Sequence, residues 1–284
     1  MSYEKKKEVL LYHAFALGAG GYVERDFKSE PIPLSAPLAL SVSGGSGQNR
    51  QKNYEFVFRD PNRKRGADFR MTIGEVFTEV AATELEDRWL TTGRSELTNV
   101  DINGVVKADF VRGLLNSMHL KRKSLRSKKI EASVVTKGSE IRNLTVNGNA
   151  VLLANDDTID RNPTHDGLRK FVNAKQKTAQ AFRQCNFLEK SGSKVDYICD
   201  MEKFNSPSHI RASIYGSIAL EKRSDRVRAH CYSLDIDDFG RLYIGEVIVS
   251  HGSKRLNMLR FDLGCTNCGG GTGGSVDLNG ETLP

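Results

Sequence analysis

What this chain lacks narrows its chemistry before any motif is read. No apolar run approaches the ~20 residues that a membrane-spanning helix requires. The G-x-S-x-G nucleophile elbow, the Walker phosphate loop and the H-E-x-x-H zinc-protease pattern are all absent. Cysteine is missing from the first 184 residues, and the five present (Cys185, Cys199, Cys231, Cys265 and Cys268) are irregularly spaced. An odd number at such spacing is not a secreted disulfide framework. Excess positive charge is also missing from most of the chain. Lys121–Lys129 (KRKSLRSKK) carries six basic residues and no acid, and removing those six charges from the formal +7 leaves +1. A basic surface spread over a whole domain indicates nucleic acid. A single basic run indicates either a solvated connection between strands or a contact with an acidic surface. The contact residues would be Lys121, Arg122, Lys123, Arg126, Lys128 and Lys129. No aromatic side chain lies among them, so base stacking is not indicated and nucleic acid is disfavoured as a partner.

What is present is mostly strand and turn. Ser95–Gly104 (SELTNVDING) and Ser139–Gly148 (SEIRNLTVNG) repeat at an offset of 44 residues, with five of ten positions identical. Each copy ends in Asn-Gly, a strong hairpin signal, because both central turn residues must take φ > 0. A shorter echo, VDLNG, stands at Val276–Gly280. Leu97, Val100 and Ile102 match Ile141, Leu144 and Val146, and strict alternation would put the ends of each triplet on opposite faces. Either a kink at Thr98-Asn99 and Arg142-Asn143 turns all three toward one core, with asparagine as the left-handed residue, or the strand is buried on both faces. R-x-x-I-G-E-V also occurs twice, at Arg70–Val76 and Arg241–Val247. A bulge or close backbone approach at its glycine is the simplest shared role.

Alternation predicts strands at Leu38–Ser43, Tyr54–Phe58, Phe69–Ala82, Ile130–Thr136, His209–Leu220, Arg228–Ile236, Arg241–Ser250 and Arg255–Leu263. The last two would form a hairpin around His251-Gly252-Ser253. Glu8–Leu17 reads as a first strand or short helix. It imitates a signal peptide, but Glu8 and His13 interrupt it, so no secretory signal is expected. Localisation is left open between the cytoplasm and non-classical export. Gly44–Asn53 reads as a flexible polar loop. Helical spacing occurs over Lys107–Met118 and, with Thr164 as N-cap, from there to about Gln184. The expected fold is all-β, with a sandwich or jelly-roll-like core and a β-solenoid as the second choice. One domain would span 1–264 with a helical insertion at about 164–204. A Gly-rich tail over 265–284 would follow, in which Gly269–Gly274 tethers a short strand.

Few residues suggest chemistry. Cys265 and Cys268 form a lone C-x-x-C after a strand, open to zinc, a local disulfide or free thiols. Asp156, Asp157 and Asp160, or Asp235, Asp237 and Asp238, offer oxygens to calcium without the spacing of an EF-hand loop. Glu75 and Glu79 share a strand face, and Glu246 stands in the matching context. A glycan hydrolase would need such carboxylates at a defined separation across a cleft. No catalytic residue and no cofactor is assigned.

The order of these features resembles the bacterial choice-of-anchor β proteins, nearest the type P group. The likeness rests on AFALGAGG (Ala14–Gly21), SELTNVDINGVVKAD (Ser95–Asp109), GSEIRNLTVNG (Gly138–Gly148) and GRLYIGEVIV (Gly240–Val249). It implies an all-β, surface-associated or assembly-forming protein without catalytic residues. The sequence departs from that pattern in having no convincing signal peptide or C-terminal anchor segment. The leading expectation is therefore a non-enzymatic structural protein whose subunits associate through edge strands into a homo-oligomer or polymer. In its sharpest form Ser275–Leu283, with Val276 and Leu278 alternating, adds to a neighbouring subunit's sheet. A binding module using the basic run on an anionic surface is the second expectation, and a glycan hydrolase the third.

Overall fold

The computed structural model describes residues 9–25, 28–59, 68–121, 132–161, 164–170, 209–230, 233–250, 252–264 and 268–283. These form two antiparallel sheets packed face to face, the sandwich expected from alternation, and not a solenoid. The first sheet runs β14 (Val227–Ala229), β15 (Ser233–Ile236), β16 (Gly240–Ser250), β17 (Lys254–Leu263), β18 (Cys268–Leu283), β1 (Val9–Arg25) and β2 (Lys28–Ile32). In addition β12 (His209–Ser213) pairs with β16, and β3 (Leu38–Ala39) with β1. The second sheet runs β13 (Tyr215–Leu220), β11 (Asn149–Asn155), β10 (Thr145–Val146), β7 (Val106–Leu120), β6 (Arg88–Ile102), β5 (Phe69–Glu84) and β4 (Gly45–Phe58). There β8 (Ser133–Val135) and β9 (Glu140–Arg142) also pair with β7. The His209–Leu220 segment divides at Ile214: β12 joins β16 in one sheet and β13 joins β11 in the other.

The core lies between the sheets. Ala14, Ala16, Leu256, Leu259, Phe261, Val276 and Leu278 face Val76, Val80, Leu97, Val111 and Leu115, all buried. Each sheet is crossed by a line of kinks that reverses which alternate side chains point inward. In the second sheet the line passes through Asn53, Gly74, Asn99 and Asp109, positions skipped in the register, and reaches Asn143. Asn53, Asn99 and Asn143 are left-handed, with φ of 52°, 51° and 52°. Asparagine tolerates that conformation better than other side-chain-bearing residues. The kink brings Leu97, Val100 and Ile102 into the core together, along with Leu144 and Val146, while Ile141 packs against it half-buried. Of the two sequence alternatives, the kink is the one realised. Both Asn-Gly pairs are also left-handed: Asn103 and Gly104 at 58° and 69°, Asn147 and Gly148 at 50° and 73°. The two copies of the repeat flank β7 on either side, and Arg112 of β7 reaches the glutamate of each, Glu96 at 3.8 Å and Glu140 at 2.8 Å.

The first sheet has its own line, through Gly18, Gly274, Met258 and Gly245. Gly245 and Gly274 take φ of 62° and 70°. The two glycines of the R-x-x-I-G-E-V echo thus occupy equivalent places for different reasons. Gly245 is left-handed, whereas Gly74 leaves room for the Asn99 side chain, whose Nδ2 would lie 3.1 Å from an added Cβ. Strict alternation along Phe69–Ala82 would put Glu75 on the face of Met71 and Ile73; the second-sheet kink at Gly74 instead turns Val76 inward with them and Glu75 outward.

Other expectations change. Lys107–Met118 is strand β7, not helix, because Val111 and Leu115 are buried while Phe110 faces out beneath Arg112 and Arg142, 5.8 and 4.8 Å from its ring. Gly44–Asn53 is not a loop, since Gly45 onward belongs to β4 and pairs with β5. The glycine run is no tether. Gly269–Gly274 is part of β18, a central strand held between β17 and β1, and a Cβ on Gly271 would stand 2.5 Å from the Phe261 ring. The tail is therefore part of the sandwich, and its Asn279-Gly280 lies extended opposite His13 and Tyr12 without turning. Of the helical insertion, residues 165–170 are helical, with Thr164 Oγ1 accepting from the Gly167 N–H at 3.0 Å. The rest of it, 171–204, lies outside the described residues.

Candidate functional site

The outer face of the first sheet carries an ordered grid of side chains. Four rows cross strands β16, β17, β18 and β1 in register: Ile248–Arg255–Asp277–Phe15, Glu246–Asn257–Ser275–Leu17, Tyr243–Arg260–Thr272–Gly20 and Arg241–Asp262–Gly270–Tyr22. The kink line passes between the second and third rows. The β17, β18 and β1 members of all four rows line a groove of about 490 Å³, which Leu34 and the Gly269–Gly271 backbone complete. Its β1 wall is apolar, its β18 floor is small, and its β17 wall is charged. Tyr22 and Leu34 are 49% and 53% exposed.

The charged wall is held rigidly. Glu246 is fully buried. It accepts from Arg260 Nε at 2.8 Å and Nη2 at 3.1 Å, and from Asn257 Nδ2 at 3.3 Å, while Arg211 Nη1 stands 3.7 Å away. The Arg260 guanidinium also lies over the Tyr243 ring, 3.6 Å from its centroid, and donates from Nη1 to both Asp262 oxygens at 2.9 Å. Burial pulls the Arg260 pKa down, but Glu246 and Asp262 outweigh it and hold the guanidinium above its ordinary value. Ser275 Oγ donates to Asn257 Oδ1 at 2.8 Å. Arg255 Nε and Nη2 donate to Asp277 Oδ2 at 3.0 and 2.6 Å. Beyond the groove, burial pushes the Asp235 carboxyl up, but Arg241 and His230 beside it hold it below the ordinary range. The guanidinium–carboxylate contacts are charge-assisted and geometrically demanding, so they fix the wall before any ligand arrives.

A second polar group lies between the sheets. Lys254 is 1% exposed, and burial together with the Lys254 charge pulls the His119 pKa down to about 4. Thr91 and Ser117, cross-strand neighbours in register one step from Trp89 and His119, are also buried.

The residues singled out from sequence are placed as follows. Lys121 is turned back on its own sheet: its Nζ donates to Glu84 Oε1 at 2.8 Å and to the Leu85 carbonyl, and it lies over the Trp89 ring. Arg122, Lys123, Arg126, Lys128 and Lys129 lie outside the described residues. Val276 and Leu278 are fully buried core residues, so they are not exposed contact residues. Asp156, Asp157 and Asp160 do not converge. Asp157 pairs with Arg161 at 2.6 Å, and Asp160 Oδ1 accepts from the Thr136 N–H at 2.7 Å. Among the described residues, no group of three or more metal-ligating side chains converges. Cys265 lies outside the described residues, and of Cys268 only the backbone is described, opposite Glu24. Glu75 and Glu246 share no cleft: Glu75 pairs with Arg50 at 2.9 Å on the other sheet's outer face, and Glu79 with Arg94 at 3.5 Å. Arg255, Asn257, Arg260 and Asp262 escaped the sequence reading. Their alternation skips a residue at Met258, and only the kink makes them one wall.

One further surface stands out. β4 is fourteen residues long and closes the second sheet, pairing with β5 on one side. Among the described residues no strand pairs with its other side. Nor, among them, is any helix long and apolar enough to cross a membrane.

Fold and surface together define an all-β sandwich protein with an amphipathic groove on one outer face and, among the described residues, an unpaired β4 edge on the opposite sheet. The family model for a domain of unknown function, DUF8256, matches residues 10–250, and the chain belongs to that family. No curated protein and no solved structure matches the chain.

Proposed function

We propose that this chain is a non-enzymatic structural protein that self-associates by pairing the free edge of β4 with the same edge of a second copy. The observation that carries this reading is the length of that edge, fourteen residues that among the described residues have a strand neighbour on one side. A free edge presents alternate backbone N–H and C=O groups and templates a further strand. An antiparallel pairing centred between Lys52 and Asn53 would set Arg50 of each copy opposite Glu55 of the other, extending the existing Arg50–Glu75 and Arg70–Glu55 pairs, both at 2.9 Å, across the contact. Such an isologous contact closes on a two-fold axis. One local plug has to open: Asn49 Oδ1 now accepts from the Arg50 N–H at 2.8 Å. The resemblance to the choice-of-anchor proteins supports the same reading. Exchange of the C-terminal strand does not, because β18 would first have to leave the middle of its own sheet.

Sedimentation velocity over a concentration series tests the proposal. The unaltered chain should dimerise. Arg50→Ala keeps the backbone N–H and should dimerise nearly as well. Arg50→Pro removes a donor that faces away from β5 and adds ring bulk at the edge, so it should stay monomeric. Equal association by the two variants, or a monomer at every concentration, would overturn it.

A further inference from the structure

We infer that the groove on the outer face of the first sheet is a binding site for a neutral carbohydrate chain. This reading is independent of self-association, since the groove and the β4 edge belong to different sheets. The groove has the volume of a ligand site, about 490 Å³, within the roughly 300–1,000 Å³ usual for such sites. Its two walls differ in kind. Phe15, Leu17, Tyr22 and Leu34 form an apolar wall, while Arg255, Asn257, Arg260 and Asp262 form a polar one.

The polar wall does not select an ion. Arg255 is balanced by Asp277, and Arg260 by Asp262 and the buried Glu246. A charged polymer would find each site already neutralised by a fixed partner. What the wall offers is donors and acceptors in alternation on half-exposed groups: the side chains of Arg255 and Asp262 are each 52% exposed. Hydroxyl groups are both donor and acceptor, and a row of them matches such a surface.

The opposite wall requires an apolar face on the same ligand. Tyr22 presents a half-exposed ring across the floor from Asp262, in one register row with Gly270 between them. With no side chain at Gly270, a flat ring settles against the backbone while its edge reaches Asp262. A sugar ring combines an apolar C–H face with a hydroxyl-bearing edge. A lipid chain lacks the edge. An added peptide strand needs a sheet edge rather than a sheet face. The lining runs from Phe15 to Tyr22 along β1, about 23 Å at the usual rise per residue, which suits several linked sugars better than one.

Affinity electrophoresis of the full chain in native gels containing hydroxyethyl cellulose, xylan, β-1,3-glucan or dextran tests the inference, with heparin as the charged comparison. At least one neutral polymer should retard migration, and 0.5 M salt in a matched pull-down should leave that binding intact. Tyr22→Ala and Asp262→Ala should each weaken it at least fivefold. Both positions are exposed enough that the variants should melt like the parent, and the edge variant Arg50→Pro should bind unchanged. Three results would each overturn the proposal: no retardation by any neutral polymer, unaltered retardation in a folded Tyr22→Ala variant, or retention by heparin alone that salt abolishes.

Discussion

The kink line of the second sheet makes a quantitative prediction at Asn99. This residue has φ of 51°, a conformation that costs an ordinary side-chain-bearing residue about 1–2 kcal/mol. Asparagine offsets much of that, so Asn99→Ala should destabilise by about 1 kcal/mol and β-branched Asn99→Val by about 2 kcal/mol. Asn99→Gly should come within about 0.5 kcal/mol of the parent, because easier backbone geometry offsets the larger entropy of the unfolded chain. Gly74 supplies the second half of the test. A Cβ there would stand 3.1 Å from Asn99 Nδ2, 3.2 Å from Asn99 Cβ and 3.3 Å from the Thr98 carbonyl. Gly74→Ala should therefore be costly alone and much less so alongside Asn99→Gly, since two of those three contacts disappear. A coupling of at least ~0.5 kcal/mol is expected. Urea unfolding at constant m-value measures the four single variants and the double. Alanine and glycine behaving alike at position 99 would refute the left-handed assignment. Strict additivity in the cycle would refute the packing of Asn99 over Gly74.

Three other predictions follow from the buried groups and the C-terminal strand. His119 has a folded-state pKa of about 4 against an ordinary 6.5, so the unfolded chain binds more protons in that window. Stability should fall by up to about 3 kcal/mol as pH drops from 6.5 to 4, and His119→Gln should flatten the profile of urea midpoints against pH. Arg260→Met leaves the buried Glu246 carboxylate with Asn257 Nδ2 at 3.3 Å and Arg211 at 3.7 Å and should cost about 3–5 kcal/mol, largely recovered when Glu246→Met is added. A loss under ~1 kcal/mol in chemical denaturation would contradict that. A chain shortened to end at Gly264 loses the strand between β17 and β1 and should fail to give dispersed amide NMR signals. A folded, soluble product would show that β18 is dispensable.

The extent to which the sequence could be read differs by element. The two Asn-Gly turns were legible, and the kinks at Asn99 and Asn143 partly so, because a left-handed residue is a local requirement written in the residue that meets it, whereas Asn53 read as loop and Asn279-Gly280 forms no turn. Strands β5, β16 and β17 were legible from their β-branched and aromatic residues and partial alternation, although Leu242–Val247 of β16 are buried on both faces. The β7 strand misled because Phe110, Leu114 and Met118 add apolar residues to its outer face. With Val111 and Leu115 inside, the combined spacing imitates a helix. The glycine run misled for the opposite reason. Flexibility in an isolated chain and close packing within a sheet both call for glycine, and only the Phe261 ring beside Gly271 distinguishes them.

The candidate site was almost wholly hidden. Its polar wall comes from β17, its floor from β18 and its apolar wall from β1, segments that the chain separates by more than two hundred residues at the widest. The sequence by itself determined the all-β class and the two Asn-Gly turns at Asn103-Gly104 and Asn147-Gly148, and it named Asn99 and Asn143 as places where a strand could kink, since each follows from a residue's own backbone preference. Only the tertiary structure decided which strands lie side by side, which kinks line up across a sheet, and that the C-terminal segment fills the middle of the first sheet. Those outcomes depend on register between distant strands, where backbone hydrogen bonding is the same for every residue and side-chain packing across the interface makes the choice.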